Sequence, residues 1–298
     1  MSGLLQQLIY PLRKPKPPAP KMAMGFFTDT TLCIGCKACE VACKQWNQIP
    51  SDGFNFTGLS YDNTIALSAT TWRHVTFIEQ FPENGARHTE SMAPNPEISI
   101  DLDAILSGPK DGRWLMMSDV CKHCSTAPCQ LSCPTGAIIT NEFSDIYIQN
   151  DICNGCGYCV AACPFGVITR SSSDGHAHKC TLCYDRQRDD MIPACAKACP
   201  TGSIQFGPLE ELRVRAEDRV IDLKRRGLED AYLYGDRATE SYSALHAFFL
   251  LLDRPSLYGL PEGPQIPQWH LSSDYLRSAA ATVLWIAIVI VAVVLHGF

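Results

Sequence analysis

Sixteen cysteines lie between Cys33 and Cys199, and they come in four groups of four. The groups are Cys33, Cys36, Cys39, Cys43; Cys121, Cys124, Cys129, Cys133; Cys153, Cys156, Cys159, Cys163; and Cys180, Cys183, Cys195, Cys199. Thiolates are soft ligands, so crowded cysteines point first to zinc or to iron with sulfide. Runs one and three read C-x₂-C-x₂-C-x₃-C. Three thiolates two residues apart wrap a tight loop around one [4Fe–4S] cube, and the fourth, one helical turn on, points away to serve another cluster. Runs two and four keep this plan with longer gaps, C-x₂-C-x₄-C-x₃-C and C-x₂-C-x₁₁-C-x₃-C. Tetrahedral zinc also uses paired C-x₂-C knuckles, but needs neither a third cysteine in the loop nor a displaced fourth. A disulfide framework has no use for the repeated spacing. The chemistry indicated is one-electron transfer.

Three of the runs end in Cys-Pro-x-Gly: "CPTGAI" at 133, "CPFGVI" at 163 and "CPTGSI" at 199. Proline stops the turn, glycine takes an unusual backbone angle, and a strand follows. Run one departs from this, because Lys44 follows Cys43. Between runs two and three the pattern reads strand, turn, strand, over Ala137–Thr140 and Asp145–Ile148, as in a ferredoxin unit. Runs one and four then form a second unit enclosing the first, with "GFFTDT" and "SIQF" as the apolar segments left to pair. Crossing over the fourth cysteine in each unit gives four ligand sets. They are Cys33, Cys36, Cys39, Cys199; Cys43, Cys180, Cys183, Cys195; Cys121, Cys124, Cys129, Cys163; and Cys133, Cys153, Cys156, Cys159. The two other ways of pairing four runs remain alternatives. No Trp or Asp replaces a ligand, so four [4Fe–4S] clusters are expected.

The elements that must hold these sets divide the chain as follows: a basic, proline-rich tail (1–23); the first half of the outer module with an insertion (24–116); the inner module (117–169); the second half of the outer module with a packing helix (170–235); a connector (236–275); and a membrane helix (276–296). The fold class expected is α+β, two ferredoxin-like [4Fe–4S] modules, one nested in the other, plus a single C-terminal transmembrane helix. Within the insertion, "LSATTWRHVTFIEQF" and "RWLMMSDVC" alternate as strands do. The packing helix carries its stripe on Leu209, Leu212, Ala216, Val220 and Leu223 and ends by Gly227. "LLDRPSLYGLPEGPQIPQW" reads as a Pro/Gly-rich connector. From Ala279 to Leu295 there is no charge and one Thr; with Ser278 and His296 included, about 19 residues at 1.5 Å each match the ~30 Å hydrocarbon core of a bilayer. "LLQQLIYPL" is too short for an export signal, so an exported chain would rely on a partner's address.

Lys37, Lys44, Lys122, His123, Lys179 and Lys197 lie in or beside the runs, where cations would favour a reduced cluster. The plainer reading of each is a surface charge on a loop. His74 and His88 are read as surface polar groups, and His296 as interfacial rather than a haem ligand. No G-x-G-x-x-G on a strand–helix turn, no P-loop and no paired nucleophile and base occur, so no catalytic residue is assigned. A net charge of −6 argues against a nucleic-acid partner.

The chain resembles the iron–sulfur (beta) subunit of membrane-bound respiratory formate dehydrogenase. The four runs place it among four-cluster ferredoxin-type subunits of molybdopterin oxidoreductases. "LSATTWRHVTF", "CNGCGYCVAACPFGV", "HKCTLCYDR", "PACAKACPTGSIQFG", "AEDRVIDLKRRG" and "RPSLYGLP" narrow the likeness, which covers about residues 24–298. The resemblance implies a molybdopterin or tungstopterin catalytic alpha subunit that oxidises formate. It implies electron entry at the Cys33, Cys36, Cys39, Cys199 set, then passage by the Cys43 and Cys121 sets. Delivery from the Cys133, Cys153, Cys156, Cys159 set would go to a membrane cytochrome b gamma subunit and quinone. It further implies a single-pass chain in the cytoplasmic membrane, lipid bilayer around its last helix and the cluster domain on the periplasmic or outer face. A membrane hydrogenase or a sulfur-compound reductase would use an equivalent beta subunit with identical ligands. A membrane-tethered zinc scaffold is the rival of a different class.

Overall fold

The computed structural model describes residues 21–54, 56–58, 61–80 and 113–296. Residues 1–20 of the basic tail and residues 81–112 of the insertion, His88 among them, lie outside the described residues. The central sheet has the order β8-β1-β10-β9, from β1 (Met24–Asp29), β8 (Ile204–Pro208), β9 (Tyr232–Tyr234) and β10 (Ala247–Leu251). β1 runs antiparallel to β8, with Phe26 opposite Phe206, and parallel to β10, with Phe27 opposite Phe248. The pairing of "GFFTDT" with "SIQF" therefore occurs at the register Phe26–Phe206 to Thr28–Ile204.

Successive residues of a strand face opposite sides, so each strand divides its residues between two layers. Phe27, Phe248 and Leu250 face one layer, where Leu209, Leu212, Ala216 and Leu223 of a long helix (Leu209–Arg225) cover them. Phe26, Ala247, Phe249 and Leu251 face the other layer, among the cysteines. The helix stripe falls where its spacing predicts, with Val220 only partly buried. β10 corrects the reading of 236–275 as a connector. Its run "AFFLL" is buried throughout and sits in the middle of the sheet. A strand buried on both faces reads as a continuous apolar run without alternation, and the Pro/Gly-rich sequence after it obscured the signal. Gly25 allows this close packing, since a Cβ there would stand 2.2 Å from the His246 carbonyl oxygen.

Around the sheet sit three two-stranded ribbons. β2 (Arg73–Gln80) pairs with β3 (Arg113–Val120), β4 (Ile138–Thr140) with β5 (Ile146–Ile148), and β6 (Thr169–Arg170) with β7 (Ala177–His178). Strands β4 and β5 begin one residue later than their pattern suggested. Between them Asn141 Oδ1 accepts hydrogen bonds from the N–H of Phe143 and Asp145, which closes the turn.

Short helices hold or border the later cysteines: α1 (Ala38–Trp46) holds Cys39 and Cys43, α2 (Pro128–Leu131) Cys129 and α3 (Tyr158–Ala162) Cys159, while α4 (Tyr184–Arg188) starts just after Cys183 and α5 (Ala194–Ala198) holds Cys195. The long helix over the sheet is α6. The last helix, α7 (Leu271–His296), begins earlier than expected. Its 26 residues amount to about 39 Å. Its window Tyr275–Ala292 has a mean hydropathy of 1.9, and none of that window is buried against the protein. Trp285, Ile286, Ile288 and Ile290 stand exposed on it, an apolar surface of a kind that water does not favour.

Four cysteine-lined sites

The first C-x₂-C loop of each run turns on a residue just before its second cysteine, and all four such residues have positive φ. They are Gly35 (65°), His123 (43°), Gly155 (70°) and Leu182 (53°). Only glycine takes this conformation without steric cost, so His123 and Leu182 are held there by the packing around the loop. The turn brings the loop's sulfurs round to one side.

Cys33, Cys36, Cys39 and Cys199 line one pocket with Gly35, Val75 and Ser118. Cys121, Cys124, Cys129 and Cys163 line a second with Lys122, His123 and Tyr242. Cys133, Cys153, Cys156 and Cys159 line a third with Thr135 and Gly157. The remaining four come together where α1 packs on α5. There burial pushes the Cys180 thiol far up, and the sulfurs of Cys43, Cys183 and Cys195 push it further. All sixteen cysteines are free. Among the described residues no three His, Cys, Asp or Glu side chains converge closely enough to hold a single ion. Four sulfurs spaced around a cavity fit a multi-atom iron–sulfide core better than one zinc at a tetrahedral centre.

The Cys-Pro-x-Gly turn has a chemical use. Partial burial pushes the Cys199 thiol up, but the N–H groups of Ile204, Thr201 and Ser203 and the Thr201 hydroxyl bring it below its usual value. Cys133 is treated alike by Thr135, Ala137 and Ile138. At Cys163 burial wins over the N–H groups of Val167 and Phe165, and the thiol stays raised. A bent backbone thus aims several donors at each sulfur, which favours its anionic form. Cys43, without that turn, lies inside α1 with Asn47 Nδ2 at 3.7 Å.

Two family models match, each described as a 4Fe–4S dicluster domain, over residues 32–137 and 112–209. The formate dehydrogenase iron–sulfur subunit of Haemophilus influenzae is 38% identical over 270 residues, covering 89% of this chain and 77% of that protein. The Escherichia coli formate dehydrogenase-O iron–sulfur subunit is 38% identical over 80% of this chain and 71% of its own. The chain belongs to the family of formate dehydrogenase iron–sulfur subunits. The B subunit of the anaerobic dimethyl sulfoxide reductase of Escherichia coli is a more distant relative, 30% identical over 65% of this chain and 78% of its own.

The surroundings of the sulfurs in this iron–sulfur subunit depart from the surface reading of the nearby charges. Lys122, His123 and Lys179 are buried, as is His74, whose Nε2 is 2.7 Å from Asp62 Oδ2. Lys37 and Lys44 are half-buried in ion pairs with Asp62 and Asp52, and Lys197 is exposed. The reason is counter-charge. Lys179 faces the sulfurs of Cys121, Cys129 and Cys180, and burial alone would have lowered its pKa, yet the sulfurs raise it. Lys122 meets Asp119 and lies over the rings of Phe165 and Phe249.

Three side chains that come within 3.3 Å of a sulfur were missed. Tyr242 places its hydroxyl 2.9 Å from Cys124 Sγ, and Ser118 Oγ lies 3.2 Å from Cys39 Sγ. Arg73 Nη2 donates to Cys195 Sγ at 3.3 Å. Arg73 left one signal in the sequence, a charge at the start of an apolar strand. Tyr242, in the segment read as connector, left none.

Proposed function

We propose that this subunit holds four [4Fe–4S] clusters on the four cysteine sets and carries electrons between a catalytic subunit and the membrane. Bound clusters of this kind supply one-electron steps at potentials set by charge, burial and hydrogen bonds. The observation that carries the proposal is the gradient of exposure along the sets. Cys36 in the first set and Cys156 in the fourth are exposed, whereas all four cysteines of the second set and three of the third are buried. Two open ends with a closed middle suit a conduit that receives at one face and delivers at another. The pairing of β1 with β8 and of β4 with β5 supports two ferredoxin-like modules, one enclosed in the sequence of the other. The two dicluster matches divide the chain differently, by adjacent runs, and do not bear on that nesting.

By its family, the catalytic partner is a molybdenum- or tungsten-pterin subunit that oxidises formate, docked at the Cys33 end. A membrane cytochrome b receives electrons at the Cys133 end and passes them to quinone. α7 crosses the cytoplasmic membrane once and tethers the subunit beside that cytochrome, with the cysteine sites on the outer face. The chain's own residues bind, insulate and tune, and the oxidation of substrate belongs to the partner.

Anaerobic preparation of the complex, with iron and sulfide analysis and paramagnetic resonance of single cysteine variants, tests this reading. Cys33→Ala and Cys199→Ala should lose the same signal, although the two positions are far apart in sequence. Loss of different signals defeats the ligand sets, and zinc in place of iron defeats the function. A nickel–iron large subunit in the purified complex would reassign the partner.

A further inference from the structure

Arg73 is 1% exposed, and a buried charge needs compensation. Its Nη1 donates to the Ser118 carbonyl oxygen and lies 3.3 Å from Ser118 Oγ, while Nη2 donates to Cys195 Sγ. The guanidinium stacks 4.7 Å from the centre of the Phe26 ring. Its Nε is buried without a partner. The sulfur it touches is that of Cys195, at 3.3 Å. Cys195 belongs to the second cysteine set and Cys39 to the first. Ser118 completes the link, since its hydroxyl reaches both Arg73 and Cys39 Sγ.

We propose that Arg73 is a fixed cation shared by the first two cluster sites, setting both potentials through one arm on Cys195 and another through Ser118 on Cys39. The proposal rests on the ligand sets assigned above. Each one-electron reduction adds one negative charge beside the guanidinium. Two neighbouring sites repel each other's added electron, and a cation between them in a low-dielectric interior eases that repulsion. Arginine suits the place because it stays charged when buried and its planar fork can hold two partners at once. Arg73 is therefore a positioning and tuning residue, not a ligand.

The test is an anaerobic redox titration of the purified complex followed by paramagnetic resonance, in the wild type and in Arg73→Gln, Arg73→Lys and Ser118→Ala. Iron and sulfide are measured in each. Arg73→Gln should lower the midpoints of both the Cys39 and the Cys195 sites. The expected shift is at least tenfold in the reduced-to-oxidised ratio at fixed potential, or about 59 mV for a one-electron couple. Ser118→Ala should lower the Cys39 site alone. Arg73→Lys, which keeps the charge, should leave both sites closer to wild type than Arg73→Gln does. A fully iron-loaded Arg73→Gln that moves one midpoint or neither overturns the proposal. Should Arg73→Gln fail to load iron, Ser118→Ala decides, and an unmoved Cys39 midpoint overturns the shared cation. A wrong set of ligands would show itself separately, as wild-type iron content or signal assignments that disagree with the four sites.

Discussion

Replacing Tyr242 with phenylalanine isolates one hydrogen bond at one site. The hydroxyl lies 2.9 Å from Cys124 Sγ, and a metal-bound thiolate can only accept, so the phenol donates. Burial, with the Cys124 sulfur beside it, holds the phenol protonated well above its usual range. The ring itself stays in place without the hydroxyl. It is 2% exposed and packs edge-on to Phe165 at 5.6 Å, and its backbone is tied to Thr239 on both sides. A hydrogen bond to a charged group contributes about 1.5–3 kcal/mol, which as a full difference between redox states would be about 60–130 mV for one electron. Because the bond forms in both states and tightens on the added charge, the shift should be a fraction of this, some tens of millivolts downward. The assay is the midpoint of the signal lost in Cys124→Ala, followed in an anaerobic titration of the Tyr242→Phe complex. A midpoint that stays put or rises would refute the claim that this hydroxyl stabilises the reduced site.

Phe248→Ala should destabilise the subunit by about 3–5 kcal/mol, as expected for a large side chain removed from a filled core. Phe248 is fully buried and stacks on Phe27 at 5.4 Å. Thermal unfolding at a fixed scan rate reads this, and a near-unchanged midpoint would show that β10 is not central to stability. Asp145→Asn should change how stability depends on pH. Burial pushes this carboxyl up to about 7, with Gln187 and Asn141 donating to Oδ2 while Oδ1 has no partner. The folded chain thus keeps a proton that the unfolded chain releases near pH ~3.9, and stability falls as pH rises from about 4 to about 7. The asparagine variant, with no proton to lose, should gain on the wild type at pH ~8 and not at pH ~4. Equal differences at both pH values would count against a raised carboxyl.

What could be read from the sequence was local. The Cys-Pro-x-Gly turns announced the strands after Cys133, Cys163 and Cys199, and β4, β6 and β8 follow there. The stripe on α6 and the apolar tail were equally open, because helical spacing is a property of neighbouring residues. β10 was hidden for the opposite reason. Its parallel partner β1 lies far away at the other end of the chain, and an unpatterned apolar run shows neither its period nor its partner. Turn-forming residues downstream then made the whole segment look like a linker.

The charges were misread for a deeper reason. Lysine and arginine are rarely buried unless paired, so a reader of the sequence assigns charges on loops to the surface. Here carboxylates pair with Lys37, Lys44 and Lys122, and cysteine sulfurs stand beside Arg73 and Lys179. Arg73 faces sulfurs of the first two sets, Lys179 those of the second and third, and Lys122 lies in the wall of the third. On the proposed ligand sets, four thiolates at each of four places concentrate negative charge in the interior, and every added electron would worsen that. Buried cations at the junctions follow from electrostatics once the cysteine sets are known. Their burial was thus deducible in kind from the spacing of the cysteines, while their identity needed the pairing of β2 with β3 and the fold of the Cys180 loop.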